Sequence, residues 1–243
     1  MKEKLYTIPV NDAFDRNCEC PICAMRQVLE TQSVEYTMGA SYMEDDVRAE
    51  TDKAGFCRKH MEDIYAQKNM LGMALVLKTH LVKTTKDLEK LSGTPMKPAS
   101  FFKKAEKSEL NRYIDTLEEN CFICNRINQV FDRYVTTVFH LYHTDEAFRE
   151  KYAKSKGFCT KHYGLLMERA PKELKGDELN AFAAETSHLY LDNMHRMIDD
   201  LEWFINKFDY RYKDEPWKNS KDAVPRAMIK TNGILPDEDA PTE

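Results

Sequence analysis

One set of thiols and imidazoles occurs twice in this chain, and it limits the possible folds more than any other feature. Cys20-Pro-Ile-Cys23 is followed by Gly55-Phe-Cys57-Arg-Lys-His60, and Cys121-Phe-Ile-Cys124 by Gly157-Phe-Cys159-Thr-Lys-His162. Each member of the first set recurs 101 or 102 residues later. A constant offset across so many chemically special residues signals an internal duplication. The stretch between the motifs repeats as well. Glu44-Asp-Asp-Val-Arg48 aligns with Asp145-Glu-Ala-Phe-Arg149 at an offset of 101. Each reads as a helix start with an acid four residues before an arginine, an ion pair on one face.

Two cysteines separated by two residues offer two thiolates to one ion, and a distant C-x2-H supplies the other two corners of a tetrahedron. Read along the chain, each repeat closes its own Cys3His site. The first takes Cys20, Cys23, Cys57 and His60, and the second takes Cys121, Cys124, Cys159 and His162. Two Zn2+ ions per chain are expected. Iron, which paired C-x2-C knuckles also hold, is the less favoured occupant. Gly55 and Gly157 let the backbone reach the sulfurs with φ > 0, and Phe56 and Phe158 bring apolar cover. Disulfides would leave the matched histidines unexplained. A thioredoxin-like dithiol would need a βαβ pattern, which the helical flanks do not show. The seventh cysteine, Cys18, has Glu119 at its repeat position and reads as a spare thiol. Beside the first site it could form a disulfide with an oxidised ligand, so that site is expected to lose metal first.

The other patterns are helical. Apolar residues share a stripe over 71–91 (Leu71, Ala74, Leu75, Leu81, Val82, Leu88, Leu91), over 123–142, and most clearly over 191–208. In the last stretch Leu191, Met194, Ile198, Leu201, Ile205 and Phe208 recur at spacings of three and four, in a helix expected to run from about Asp177 to Tyr212. No strand alternation stands out. The expectation is an all-α protein of two duplicated helical modules, each with a Cys3His metal knuckle, packed into one globular bundle. Residues 1–92 form the first repeat, 93–106 a linker marked by Pro95 and Pro98, 107–212 the second repeat, and 213–243 a partly disordered tail. Trp217 reads as a packing anchor.

The 243 residues carry a formal charge of −5, against the basic patch that a nucleic-acid binder needs. No run of 18 apolar residues suits a membrane span. The N-terminus lacks the apolar core of a secretion signal, which points to a cytoplasmic, reducing setting. The best enzyme-like lead is the polar row Glu185, His188, Asp192, His195 and Asp199 on one helix face. A ferritin-like di-iron site would need two E-x-x-H motifs and two further glutamates, and one such motif is found. His80 reads as the repeat equivalent of His188 if six residues, Pro171 to Gly176, are inserted. His140 and His143 also share a face. No nucleotide-binding loop, nucleophile elbow or H-E-x-x-H motif occurs, so no residue is assigned a catalytic or cofactor-binding role.

The CPIC and CFIC knuckles with their GFCxKH partners, together with Lys207-Phe-Asp-Tyr-Arg-Tyr-Lys-Asp-Glu-Pro-Trp217 and Asn219-Ser-Lys-Asp222, resemble an uncharacterised bacterial family found widely in Firmicutes. It is a domain of unknown function. The resemblance covers nearly the whole chain and implies a bacterial cytosolic protein with no assigned activity. The expected role is a non-catalytic, metal-stabilised scaffold for an unidentified protein or small-molecule partner, monomeric or homodimeric, without nucleic acid or membrane. The alternatives are a zinc–thiolate redox sensor and an enzyme built on the face around His188 and His195.

Overall fold

The computed structural model describes residues 4–93 and 107–233. Most of the expected linker, and the last ten residues of the tail, lie outside the described residues. The described residues are helical with no strand among them, and the expected all-α class holds.

After α1 (Lys4–Asp15), the first knuckle opens α2 (Pro21–Met38). Pro21 occupies the first helical position, where its missing N–H removes no hydrogen bond. A 3-10 turn (Ala40–Met43) leads to the short α3 (Asp45–Ala54), the Cys57 motif, α4 (Arg58–Ala66) and the long α5 (Met70–Ser92). The second repeat follows the same order. It runs α6 (Glu109–Glu119), α7 (Phe122–Thr144), α8 (Glu146–Lys154), α9 (Thr160–Glu173) and α10 (Gly176–Asn206). The expected six-residue insertion is visible as an α9 of 14 residues against 9 in α4. Pro171 sits in its last turn.

The helix starts at Asp45 and Glu146 agree with the duplicated acid–arginine motif, but its ion pair does not form. Asp145 instead caps α8, its carboxylate accepting the backbone N–H groups of Ala147 and Phe148 at 3.0 and 3.2 Å. Arg149 donates to the Tyr142 and His143 carbonyls and to Glu178. Arg48 pairs with Asp45, three residues away. At α8 the cap takes the carboxylate that the ion pair would use, whereas Glu44 makes no side-chain cap bond at α3.

The chain forms two compact units, and they cut across the repeats. One holds Met1–Gln27 with Phe131–Glu243, and the other holds Val28–Val130. The first unit has an aromatic core. Phe14 of α1, Phe139 and Tyr142 of α7, Phe148 and Tyr152 of α8, Phe158, and Phe182 of α10 lie in successive ring contacts of 4.9 to 6.4 Å. The buried Tyr152 hydroxyl is satisfied by Thr186 Oγ1 at 2.7 Å. In the second unit α3 packs on α5, burying Val47, Thr51, Met73 and Val76, with Ile64 of α4 beneath them.

Two expectations need correction. The apolar rows on the long helices do not all face a core. Leu71, Leu81 and Val82 of α5 are exposed, as are Leu191, Ile198 and Ile205 of α10 and Phe208 just beyond it. The buried face of α10 is Phe182, Thr186 and Met197. That helix also ends at Asn206 rather than near Tyr212. There Lys207 turns inward and donates to the carbonyls of Tyr212 and Lys213 at 2.7 and 2.8 Å and to that of Glu215. Trp217 packs on Phe204, ring centroids 5.9 Å apart, and α11 (Ala223–Asn232) lies against α9 and α10.

Candidate metal centres

Each knuckle sits at the start of a helix, where its first sulfur accepts the N–H of the second cysteine. The distances are 3.4 Å for Cys20 and Cys23 and 3.5 Å for Cys121 and Cys124. Each C-x2-H motif opens α4 or α9 directly after a glycine with positive φ, 62° at Gly55 and 70° at Gly157. A Cβ on Gly157 would stand 2.8 Å from the Leu189 carbonyl oxygen, and one on Gly55 would stand 3.0 Å from the His80 ring. Both positions therefore require glycine for conformation and for space. His80 itself donates through Nδ1 to the Asp52 carbonyl oxygen at 2.9 Å, a packing role beside that turn.

All eight expected residues converge into two sets of four, but the pairing differs from the one read along the chain. Cys20 and Cys23 meet Cys159 and His162, and Cys121 and Cys124 meet Cys57 and His60. Each knuckle is completed by the C-x2-H of the other repeat, and each set falls inside one compact unit. The boundary between the units falls inside α2 and inside α7, so each of these helices starts at its knuckle in one unit and ends in the other, where the C-x2-H motif that follows it also lies.

The sets fit a tetrahedral ion. With metal–sulfur bonds near 2.3 Å and metal–nitrogen bonds near 2.0 Å, tetrahedral edges are about 3.8 Å between sulfurs and about 3.5 Å between sulfur and nitrogen. In the first set Cys23 and Cys159 sulfurs are 3.6 Å apart, and His162 Nδ1 lies 3.5, 3.2 and 3.2 Å from Cys20, Cys23 and Cys159. In the second, Cys57 and Cys124 sulfurs are 3.9 Å apart, and His60 Nδ1 is 3.3 Å from each of the three sulfurs. These sets could each hold a metal ion, and all four corners are filled by the protein.

The sulfurs alone do not sustain three thiolates. Burial pushes Cys20 up to about 12. Hydrogen bonding with Cys159 and Cys20 raises Cys23 and correspondingly lowers Cys159. In the second set burial opposes a Cys121 thiolate, but the His60 hydrogen bond and charge and the backbone N–H groups of Cys124 and Cys57 together outweigh it and bring Cys121 down to about 6. Burial and the Cys121 charge then push Cys124 up to about 12. Burial and the neighbouring sulfur charges thus work against ionising these thiols together, and a bound cation would offset both.

The two centres differ in their surroundings, a feature the sequence reading missed. His60 Nε2 lies 3.1 Å from Glu30, and Lys59 bridges Glu30 and Asp63 at 2.5 and 2.9 Å. The His60 hydrogen bond holds the Glu30 carboxyl down to about 2. At the repeat position of Glu30, an offset of 101, stands Phe131, whose ring packs on His162 at 5.7 Å. That substitution of carboxylate by phenyl was the available signal. The first centre also has Gly233 at the end of α11 over it, where an added Cβ would lie 3.3 Å from Cys23 and 3.7 Å from Cys159.

The remaining candidates do not assemble. Cys18 sits against the Ala13 carbonyl at 3.9 Å. His188 pairs with Asp192 on the surface, Glu185 accepts from the Tyr142 hydroxyl, and His143 pairs with Glu178. His140 and His195 are exposed. Among the described residues, besides the two Cys3His sets, Glu30, His60 and Asp63 form the one further group close enough to share an ion, and it surrounds a residue of the second set. No helix of the described residues is long and apolar enough to cross a membrane. No curated protein and no solved structure matches this chain. Its sequence does match a family model over residues 1–238, and the chain belongs to that family of unknown function, DUF6062.

Proposed function

We propose that this protein is a non-catalytic helical scaffold held together by two Zn2+ ions, one in each crossed Cys3His set. The observation that carries this reading is the closed geometry: four protein ligands at tetrahedral spacing leave no position for a substrate or a metal-bound water. Closed Cys3His sets are the usual form of structural zinc, which favours zinc over iron. The role of each centre is topological. It joins a knuckle of one repeat to the C-x2-H motif of the other, 136 to 142 positions apart in the first set and 61 to 67 in the second, so the metal fastens one repeat to the other. The exposed row Leu191, Ile198 and Ile205 on α10 supports the interaction half of the reading, in which a protein or small-molecule partner is bound. We place the protein in a bacterial cytoplasm, where thiols stay reduced and available to a metal.

Elemental analysis of protein purified without added metal tests this directly. The expected result is two zinc atoms per chain and negligible iron. Stripping the metal with a chelator is expected to lower the thermal midpoint sharply and broaden the transition. Unchanged melting after complete stripping would remove the structural role.

A further inference from the structure

The geometry points to the Cys57–His60–Cys121–Cys124 centre as a thiol-oxidation site, in which a hydroperoxide joins Cys57 to Cys124 as a disulfide and so opens the metal cage. This rests on the zinc reading above and adds an activity to one of its two centres.

The observation behind it is the unequal cover of two duplicated sites. At the first centre Cys20, Cys23, Cys159 and His162 are all buried, and Phe158 beside them is fully enclosed. At the second, Cys57 and Cys124 are both partly exposed, and so is Phe56, the counterpart of Phe158. Gly233 and α11 lie over the first centre. After α5, the equivalent point in the first repeat, the next described helix is α6, which buries none of its residues. The two exposed sulfurs are also neighbours, 3.9 Å apart. Disulfide formation brings them to about 2.05 Å, a move of about 2 Å between side chains that are free on their solvent side. Cys121 and His60 lie buried behind them. Partly exposed thiolates are the reactive ones, and enclosed thiolates are inert.

The chemistry balances with a hydroperoxide as oxidant. One thiolate of the exposed pair attacks the outer peroxide oxygen. An S–O bond forms, the O–O bond breaks, and hydroxide or alkoxide leaves. The second thiolate then attacks the sulfenic sulfur. The S–S bond forms, the S–O bond breaks, and a second hydroxide leaves. Two thiolates have given two electrons to the peroxide. Cys121 and His60 remain, and two ligands do not retain the ion. Burial therefore reverses the order expected from Cys18, which placed the more oxidisable site at Cys20.

The test uses the full-length, zinc-loaded protein. Its metal content is measured first, and hydrogen peroxide is then added while zinc release is followed with a metallochromic dye and disulfides are mapped by alkylation and peptide mass. The expected result is one zinc equivalent released with a Cys57–Cys124 disulfide at least about tenfold faster than the second equivalent. Thiol reductant should reverse it. Cys57→Ser should abolish the fast disulfide, and the peptide map of the unaltered protein settles the matter even if that variant misfolds. Protein carrying no zinc before peroxide removes the scaffold reading and this inference with it. Protein that carries two zinc ions and loses both together, loses neither, or forms its first disulfide among Cys20, Cys23 and Cys159 overturns this inference alone.

Discussion

Replacing Cys20 and Cys159 together by serine is expected to leave one zinc per chain bound as tightly as in the unaltered protein, whereas replacing Cys20 and Cys57 together is expected to leave none bound that tightly. Both variants remove two thiols, one from each repeat half-site. They differ because Cys20 and Cys159 belong to one set, while Cys20 and Cys57 belong to different sets. The first variant destroys one centre and spares Cys57, His60, Cys121 and Cys124. The second leaves each centre with three ligands. Structural zinc sites contribute roughly 10–16 kcal/mol of binding in small peptides. Loss of a direct ligand should exceed the roughly 10–100-fold that a change in the surrounding hydrogen bonds costs. Competition with a chelator of known affinity reads the outcome, together with zinc stoichiometry. If each repeat closed its own site, the results for the two variants would be exchanged. Each set lies within its own compact unit, so the surviving centre in the first variant keeps its full support.

The same pairing marks where the sequence stops being informative. Residue type and spacing identified all eight members of the two sets, because thiols and imidazoles at matched offsets have few other uses. Positive φ at Gly55 and Gly157 was legible for a similar reason, since a tight approach after a helix end demands glycine. Which knuckle meets which C-x2-H was not legible. The repeats are equivalent, so every local signal that supports pairing within a repeat supports pairing between them equally well. Only the passage of α2 and of α7 from one compact unit into the other breaks the tie, and that belongs to the tertiary structure rather than to any local pattern.

The apolar stripes show a second limit. The spacing of Leu191, Met194, Ile198, Leu201 and Ile205 establishes that they share a helix face. It does not establish that this face is the buried one. On α10 the core takes Phe182, Thr186 and Met197 instead, and an internal threonine is a poor signal for a core. Thr186 is buried because it meets the Tyr152 hydroxyl and the Phe182 carbonyl, partners that only the tertiary structure supplies. The helix at 223–232 was missed for a related reason. It is short, contains Pro225, and anchors itself through a lysine, a residue that sequence patterns assign to solvent.

That lysine carries the second large prediction: Glu19→Ala should destabilise the protein by about 3–5 kcal/mol, far more than Lys230→Met. Lys230 of α11 is completely buried, and its ammonium donates to the Glu19 carbonyl at 2.8 Å and to the Lys156 carbonyl, with the Glu19 carboxylate at 3.4 Å. Burial lowers the Lys230 pKa, and the Glu19 charge works against that shift. Among the described residues Glu19 is the one acid paired with Lys230. Arg196, which also grips Glu19, and Arg226, 3.9 Å from it, have Asp200 as a further partner at 3.7 and 2.7 Å. Removing Glu19 therefore leaves an enclosed ammonium beside two guanidinium groups. Removing the lysine charge leaves Glu19 still paired with Arg196, and methionine fills much of the same volume. Urea unfolding at saturating zinc measures both variants, with metal content checked because Glu19 adjoins Cys20. In the double variant Lys230→Met should recover a substantial part of what Glu19→Ala loses, since it deletes the charge left stranded. Additive losses in the double variant would mean that the two side chains act independently, and α11 would then be held by packing alone.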